Sequence, residues 1–199
     1  MAGEELIFEL HKIGCIKFGE FRLKSGMVSP IYIDLRILAS HPRVLRLVAR
    51  ELAGLVAKLE FDKIAAVPYA ALPIGTALSL ETDKPMIYAR REAKSYGTAQ
   101  LIEGVWSRGE TIIVVDDLIT TGESKFEVIR PLENAGLEVR DVVVVIDREQ
   151  GGAEALERGG YRLHALLKLS GVLDVLEKNG KITGEQKDKV LNYIKGARV

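Results

Sequence analysis

Residues 111–131 read TIIVVDDLITTGESKFEVIRP, and the fold class turns on this stretch. Residues 112–115 are four consecutive β-branched apolar side chains, the pattern of a short strand buried on both faces of a parallel sheet. Asp116 and Asp117 follow, where such a strand should end. A small, hydroxyl-rich turn comes next, with Thr120, Thr121, Gly122, Glu123 and Ser124. It leads into an amphipathic segment carrying Phe126, Ile129 and Leu132 on one face and stopping at Ala135 and Gly136. Strand, acidic pair, small turn and helix in that order predict an α/β domain with a ligand site at the carboxyl edge of its sheet.

Residue types suggest the ligand. Gly122 permits a tight or left-handed turn whose N–H groups converge on one point, and the new helix adds the positive end of its dipole. A phosphate monoester suits that cradle, with Thr120, Thr121 and Ser124 as hydroxyl donors. Two carboxylates so close by would repel a bare polyphosphate; their natural partners are a sugar diol or a bound Mg²⁺. A ribose 5-phosphate satisfies both halves. The plainer alternative is a polar strand-to-helix connection capped by a Ser or Thr.

Upstream, residues 4–13 have helical spacing, 16–23 form a short β region, and residues 1–40 as a whole precede the first strand-helix alternation, as a flap would. Lys24 sits in a turn there and on composition alone is a solvated lysine. Residues 40–58 predict a helix with Ser40 as N-cap, and 64–67 a strand. A constrained loop follows at 68–73, then a helix over 74–81 and a strand over 86–89. Residues 90–104, RREAKSYGTAQLIEG, carry no apolar period but group Arg90, Arg91 and Lys94 with Tyr96 and a Gly at 97, a good lid over a polyanion. Downstream, residues 142–146 predict a third buried strand with Arg148 just beyond it, able to grip a planar carboxylate or, more simply, to pair with Asp147 or Glu149. A helix over 153–158, a strand over 161–167 and two terminal helices complete the chain, the last with Thr183 and Gln186 at capping-box spacing.

Composition narrows the function classes. The 199 residues suffice for one α/β domain with a small accessory element. Lys+Arg and Asp+Glu both number 28, so no global charge recruits nucleic acid or an anionic membrane. A single cysteine, Cys15, excludes an internal disulfide and a Cys-cluster zinc site. With no signal-peptide pattern and no apolar run of membrane length, a cytoplasmic protein is expected.

The run of buried residues, two acids and T-T-G-x-S resembles the phosphoribosyl-pyrophosphate (PRPP) signature of type I phosphoribosyltransferases. Three further stretches, LKSGMVSPIYIDLR, RREAKSYGTAQLIEG and VVVVIDREQGG, narrow the resemblance to orotate phosphoribosyltransferases, most of all the transferase half of UMP synthases, over nearly the full length. That resemblance implies a central, mostly parallel sheet flanked by helices, with a core over 41–168. A hood is built from residues 1–40 and the C-terminal helices of 169–199, and a flexible catalytic loop closes on the site. It implies Mg²⁺, carried mainly by PRPP, with no protein ligand assigned. No decarboxylase half follows, so transfer alone is expected.

Site roles follow from the same resemblance. Asp116 and Asp117 would hold the ribose hydroxyls, and Leu118, Ile119, Thr120, Thr121, Gly122, Glu123 and Ser124 the 5-phosphate. Arg90, Arg91, Lys94 and Tyr96, with Lys24, would meet the pyrophosphate and the reacting end of PRPP, several of them reaching into the neighbouring subunit of a homodimer. Lys24, Tyr32, Ile33, Thr120 and Arg148 would hold orotate. Lys94, Arg91, Asp116 and Asp117 are the catalytic candidates. One departure is Ala70, after Tyr69, where many bacterial members carry a lysine. A transferase for another base and a PRPP-sensing regulator are the rivals; the first would leave Lys24 and Arg148 without a carboxylate partner, and the second has no need of a cationic lid.

Overall fold

The computed structural model describes residues 2–22, 26–90 and 101–196. The chain runs through α1 (Ala2–Lys12), β1 (Ile16–Arg22), β2 (Val28–Ile33) and a 3-10 segment (Leu35–Ser40). It continues through α2 (Pro42–Val56), β3 (Lys63–Ala66), α3 (Ala71–Thr82), β4 (Met86–Ala89), β5 (Ile102–Glu103) and β6 (Thr111–Ile119). Then come α4 (Glu123–Asn134), β7 (Glu138–Asp147), α5 (Gly152–Arg158), β8 (Arg162–Lys168), α6 (Leu169–Lys178) and α7 (Gly184–Gly196).

Six strands make the central sheet in the order β5-β4-β3-β6-β7-β8, parallel except for β5, while β1 and β2 pair antiparallel as a separate ribbon. The apolar runs of β6 and β7 are continuous because both faces are covered. Ile113, Val115, Val143 and Val145 point into one core cluster, and Ile112, Val114, Val142 and Val144 into the other. The first cluster also takes Leu6 and Leu10 of α1, Ile31 of β2, Leu173 of α6 and Val190 of α7, so the flanking elements share the core of the sheet's first face.

The strand order positions the site. From β3 the chain moves outward to β4 on one side, and β6 then pairs with β3 on the other. The carboxyl ends of β3 and β6 therefore diverge into a crevice, the place where open α/β sheets bind ligands. Gly75 lets α3 lie close on β3: a Cβ there would stand 2.6 Å from Ala66 Cβ.

Several boundaries differ from expectation. β6 runs on to Ile119, because Leu118 and Ile119 pair with Ile146 and Asp147 of β7, so the acidic pair lies within the strand and not after it. Residues 90–104 include an edge strand, β5, whose Glu103 and Ile102 pair with Tyr88 and Ala89. Helix α2 begins at Pro42 with His41 in the cap position and no side-chain cap; Ser40 ends the preceding 3-10 segment. Helix α3 starts earlier than expected, at Ala71. At α7 the capping box is present, with Gln186 N donating to Thr183 Oγ1 at 3.2 Å and Thr183 N to Gln186 Oε1 at 2.9 Å.

Candidate active site

A cavity of about 830 Å³ occupies the switch-point crevice, within the size range of small-molecule sites. β6 and the turn after it supply Asp116, Asp117, Leu118, Thr120 and Ser124. The loop after β3 supplies Pro68, Tyr69 and Ala70, the end of β4 Ala89 and Arg90, and the end of β2 Ile33, Asp34 and Arg36. The Pro68–Tyr69 peptide bond is cis.

The turn leads into an uncapped helix start. Gly122 takes φ +88° at the head of α4, and no side chain caps that helix. Lys125 N donates to Gly122 O at 2.9 Å, closing the first turn. Glycine is required on the other side as well: a Cβ on Gly152 would stand 2.5 Å from Thr120 O, so α5 can press against the turn only there. Ile119 is fully buried, so of the predicted cradle residues it can offer backbone alone. Its carbonyl accepts Arg148 N at 3.0 Å.

The two acids differ in their partners. Asp116 is buried; its Oδ1 accepts Asp117 N at 2.8 Å and its Oδ2 accepts the Lys125 ammonium at 2.5 Å. Asp117 Oδ1 accepts Leu118 N at 2.8 Å. Burial first, and then the neighbouring Asp116 charge, push the Asp117 carboxyl up to about 7.

Arg90 lines the cavity and is tied by Nη1 to Glu103 Oε1 at 3.3 Å, which anchors the first residue of the expected lid to β5. Lys24, Arg91, Lys94 and Tyr96 lie outside the described residues. Tyr32 and Arg148 are not among the cavity's described lining. The Tyr32 hydroxyl accepts Arg36 Nη2 at 2.9 Å, and its ring stacks on Phe21. Arg148 forms no ion pair with Asp147 or Glu149: Asp147 Oδ1 accepts Glu149 N, and Glu149 Oε2 accepts Ser170 N. Its Nε and Nη2 are buried without a hydrogen-bond partner among the described residues, and that burial lowers its pKa, opposed by Tyr193 of α7.

Sequence reasoning missed two features. Lys125 is a buried cation in the cavity wall, signalled only by a lysine in the first turn of a helix, where a cation is unfavourable. Asp34 and Arg36 also line the cavity, Asp34 accepting Arg36 Nε at 2.7 Å and holding its own carboxyl below the usual range through that bond. Among the described residues no group of three or more His, Cys, Asp or Glu side chains could hold a metal ion. No helix of the described residues is long and apolar enough to cross a membrane.

A family profile described as a phosphoribosyl transferase domain matches residues 35–158. The bifunctional enzyme PyrF/PyrE of Nostoc sp. is 45% identical over 182 residues, 92% of this chain and 38% of that protein. The orotate phosphoribosyltransferase of Caenorhabditis elegans is 41% identical over 187 residues, 93% of this chain and 82% of that one. The solved UMP synthase of Leishmania donovani matches with a TM-score of 0.91 at 44% identity, over 98% of this chain and 43% of that chain. The chain thus spans about two fifths of these bifunctional relatives. Sheet order, switch-point cavity and acidic pair define a type I phosphoribosyltransferase fold. Within that class the chain belongs to the orotate phosphoribosyltransferase family.

Proposed function

We propose that this chain transfers the 5-phosphoribosyl group of PRPP to N1 of orotate, giving orotidine 5'-phosphate and pyrophosphate, a cytoplasmic step of UMP biosynthesis. The observation that carries the reading is the cavity at the β3/β6 switch point, where an acidic pair adjoins the uncapped, Gly122-led start of α4. The turn at 120–124 takes the 5-phosphate, and Asp116 and Asp117 accept the ribose hydroxyls. Cleavage of the C1–O bond gives the ribose oxocarbenium character, which ionised carboxylates nearby stabilise. Negative charge develops on the departing pyrophosphate, and Arg91 and Lys94 neutralise it when the lid closes. Mg²⁺, held by PRPP itself, shares that neutralisation when bound. Orotate N1 attacks from the opposite face; the ring nitrogen binds as an anion, so no strong general base is required.

Orotate is the favoured acceptor because Arg148, just past the end of β7 and bonded through its backbone N–H to Ile119, keeps unsatisfied guanidinium donors, while Ile33 lines the cavity. In this reading residues 1–40 and 169–199 form the hood, and two copies of the chain exchange lids. Incubation of the purified protein with PRPP, Mg²⁺ and orotate should deplete orotate absorbance, with no turnover of uracil or hypoxanthine. Turnover of hypoxanthine instead, or none of the three, would overturn the assignment.

A further inference from the structure

Lys125 stands in the first turn of α4, the end at which the helix dipole disfavours a cation, and is only 4% exposed. Burying an ammonium is costly unless it is paired and hydrogen-bonded. Both penalties are met at one point. Lys125 Nζ lies 2.5 Å from Asp116 Oδ2 and 3.4 Å from Ser124 Oγ. With Asp117 N on Oδ1 at 2.8 Å, each oxygen of Asp116 has a fixed donor, and the carboxylate is locked in one orientation. Asp117 has no cation within ion-pair distance among the described residues. With both acids ionised, above about pH 7 for Asp117, two carboxylates and one ammonium leave the cluster with a single net negative charge. A local preference broken at a cavity wall, with a specific compensating partner, is the mark of a functional position.

We propose that Lys125 is a positioning residue for phosphoribosyl transfer: it orients Asp116 and balances one of the acidic pair's two charges, so that the pair is preorganised to accept the hydroxyls of the ribosyl donor. The inference rests on the functional reading above. Lys125 does not itself touch the donor in this scheme; it acts through Asp116. Without it, two adjacent carboxylates in the cavity wall would repel each other, and Asp116 would lose the donor that fixes its Oδ2.

The test is binding of PRPP with Mg²⁺ by titration calorimetry, in the absence of orotate, paired with steady-state kinetics. Lys125→Met should weaken PRPP binding about tenfold and raise KM for PRPP more than it lowers kcat, as loss of one preorganising ion pair predicts. Lys125→Arg should recover part of the loss. Because Lys125→Met leaves a buried carboxylate uncompensated and can fail to fold, the deciding comparison is Asp116→Asn against Asp116→Asn with Lys125→Met. Equal affinities of those two variants support action through Asp116. A further loss in the double variant, or wild-type affinity in Lys125→Met, overturns the proposal. Wild-type protein that binds no PRPP overturns the functional reading, and the inference with it.

Discussion

Asp116 and Asp117 are adjacent and chemically identical, yet the fold gives them opposite surroundings: a buried lysine for one, desolvation beside a like charge for the other. With its carboxyl raised from 3.8 to about 7, folded Asp117 keeps a proton that the unfolded chain has released. Its effect on stability is therefore most favourable below pH 3.8, falls as pH rises toward about 7, and is least favourable above that. Asp117→Asn removes this titration while retaining an acceptor for Leu118 N. The ligand-free variant should melt above wild type at pH 8, with the gap narrowing toward pH 5. Thermal denaturation at the two pH values checks this, and a gap independent of pH would contradict it. The same substitution should raise the PRPP requirement, the cost of a site built for charge. Lys94, placed on the lid by resemblance, has a different expected signature. Lys94→Ala should lower kcat far more than it weakens PRPP binding, because its partner charge develops only as the bond breaks. The acids, hydroxyls and Gly122 were legible as a motif because the turn is local. The Lys125 pairing was not, because the sequence separation of 116 and 125 does not say which way the chain reverses across the turn.

Elements were legible where one side-chain period dominates. Residues 112–115 and 142–146 read as doubly buried strands from their short, β-branched apolar runs, and they are the interiors of β6 and β7. Their ends were not legible, since Leu118 and Ile119 are held in the sheet by β7, a partner that pattern alone does not supply. β5 was missed for the same reason: two residues have no period, and only the edge of β4 makes them a strand. Ser40 shows the limit of cap residues as markers, because a 3-10 turn used it first and Pro42 opened the helix unaided. Contact between elements is equally hidden until the fold is known. Gly152 reads as a loop glycine, but it is where α5 meets the turn after β6, with Thr120 O 2.5 Å and Ile119 Cγ1 2.6 Å from a virtual Cβ. Gly152→Ala should destabilise the protein by about 1–3 kcal/mol and raise KM for PRPP, since the displaced atom is a backbone oxygen of the turn. Gly171→Ala in α6 meets nothing within 4 Å and should stabilise by about 0.5–1 kcal/mol, leaving KM unchanged. Melting curves and PRPP titrations on the two variants separate a site-specific effect from a general one.

At the scale of the whole molecule, the sheet supplies a rigid rim and the charge for the leaving group has to come from elsewhere. Arg90 is tied to Glu103 at the edge of the sheet, and the described wall of the cavity adds Arg36, itself engaged by Asp34, and Lys125, engaged by Asp116. Each of these cations already has a carboxylate partner, whereas a departing pyrophosphate needs cations that arrive late. Arg91 and Lys94, expected on a lid from the family resemblance, fit that need, and the same resemblance sends some of those residues into the neighbouring subunit's site. Exchange of lids makes a prediction that a self-contained site does not. A Lys94→Ala homodimer and a homodimer carrying Asp116→Asn with Asp117→Asn should each be nearly inactive at low PRPP. After unfolding and co-refolding in equal amounts, half the dimers are mixed, and each mixed dimer combines intact acids from one copy with an intact lid from the other. Activity should return to about a quarter of the wild-type value, the fraction of sites so assembled. If each lid serves its own subunit, mixing restores nothing, because every site then carries one defect. Sedimentation of the refolded mixture, run alongside the orotate assay, confirms that dimers formed and makes a null result decisive against lid exchange.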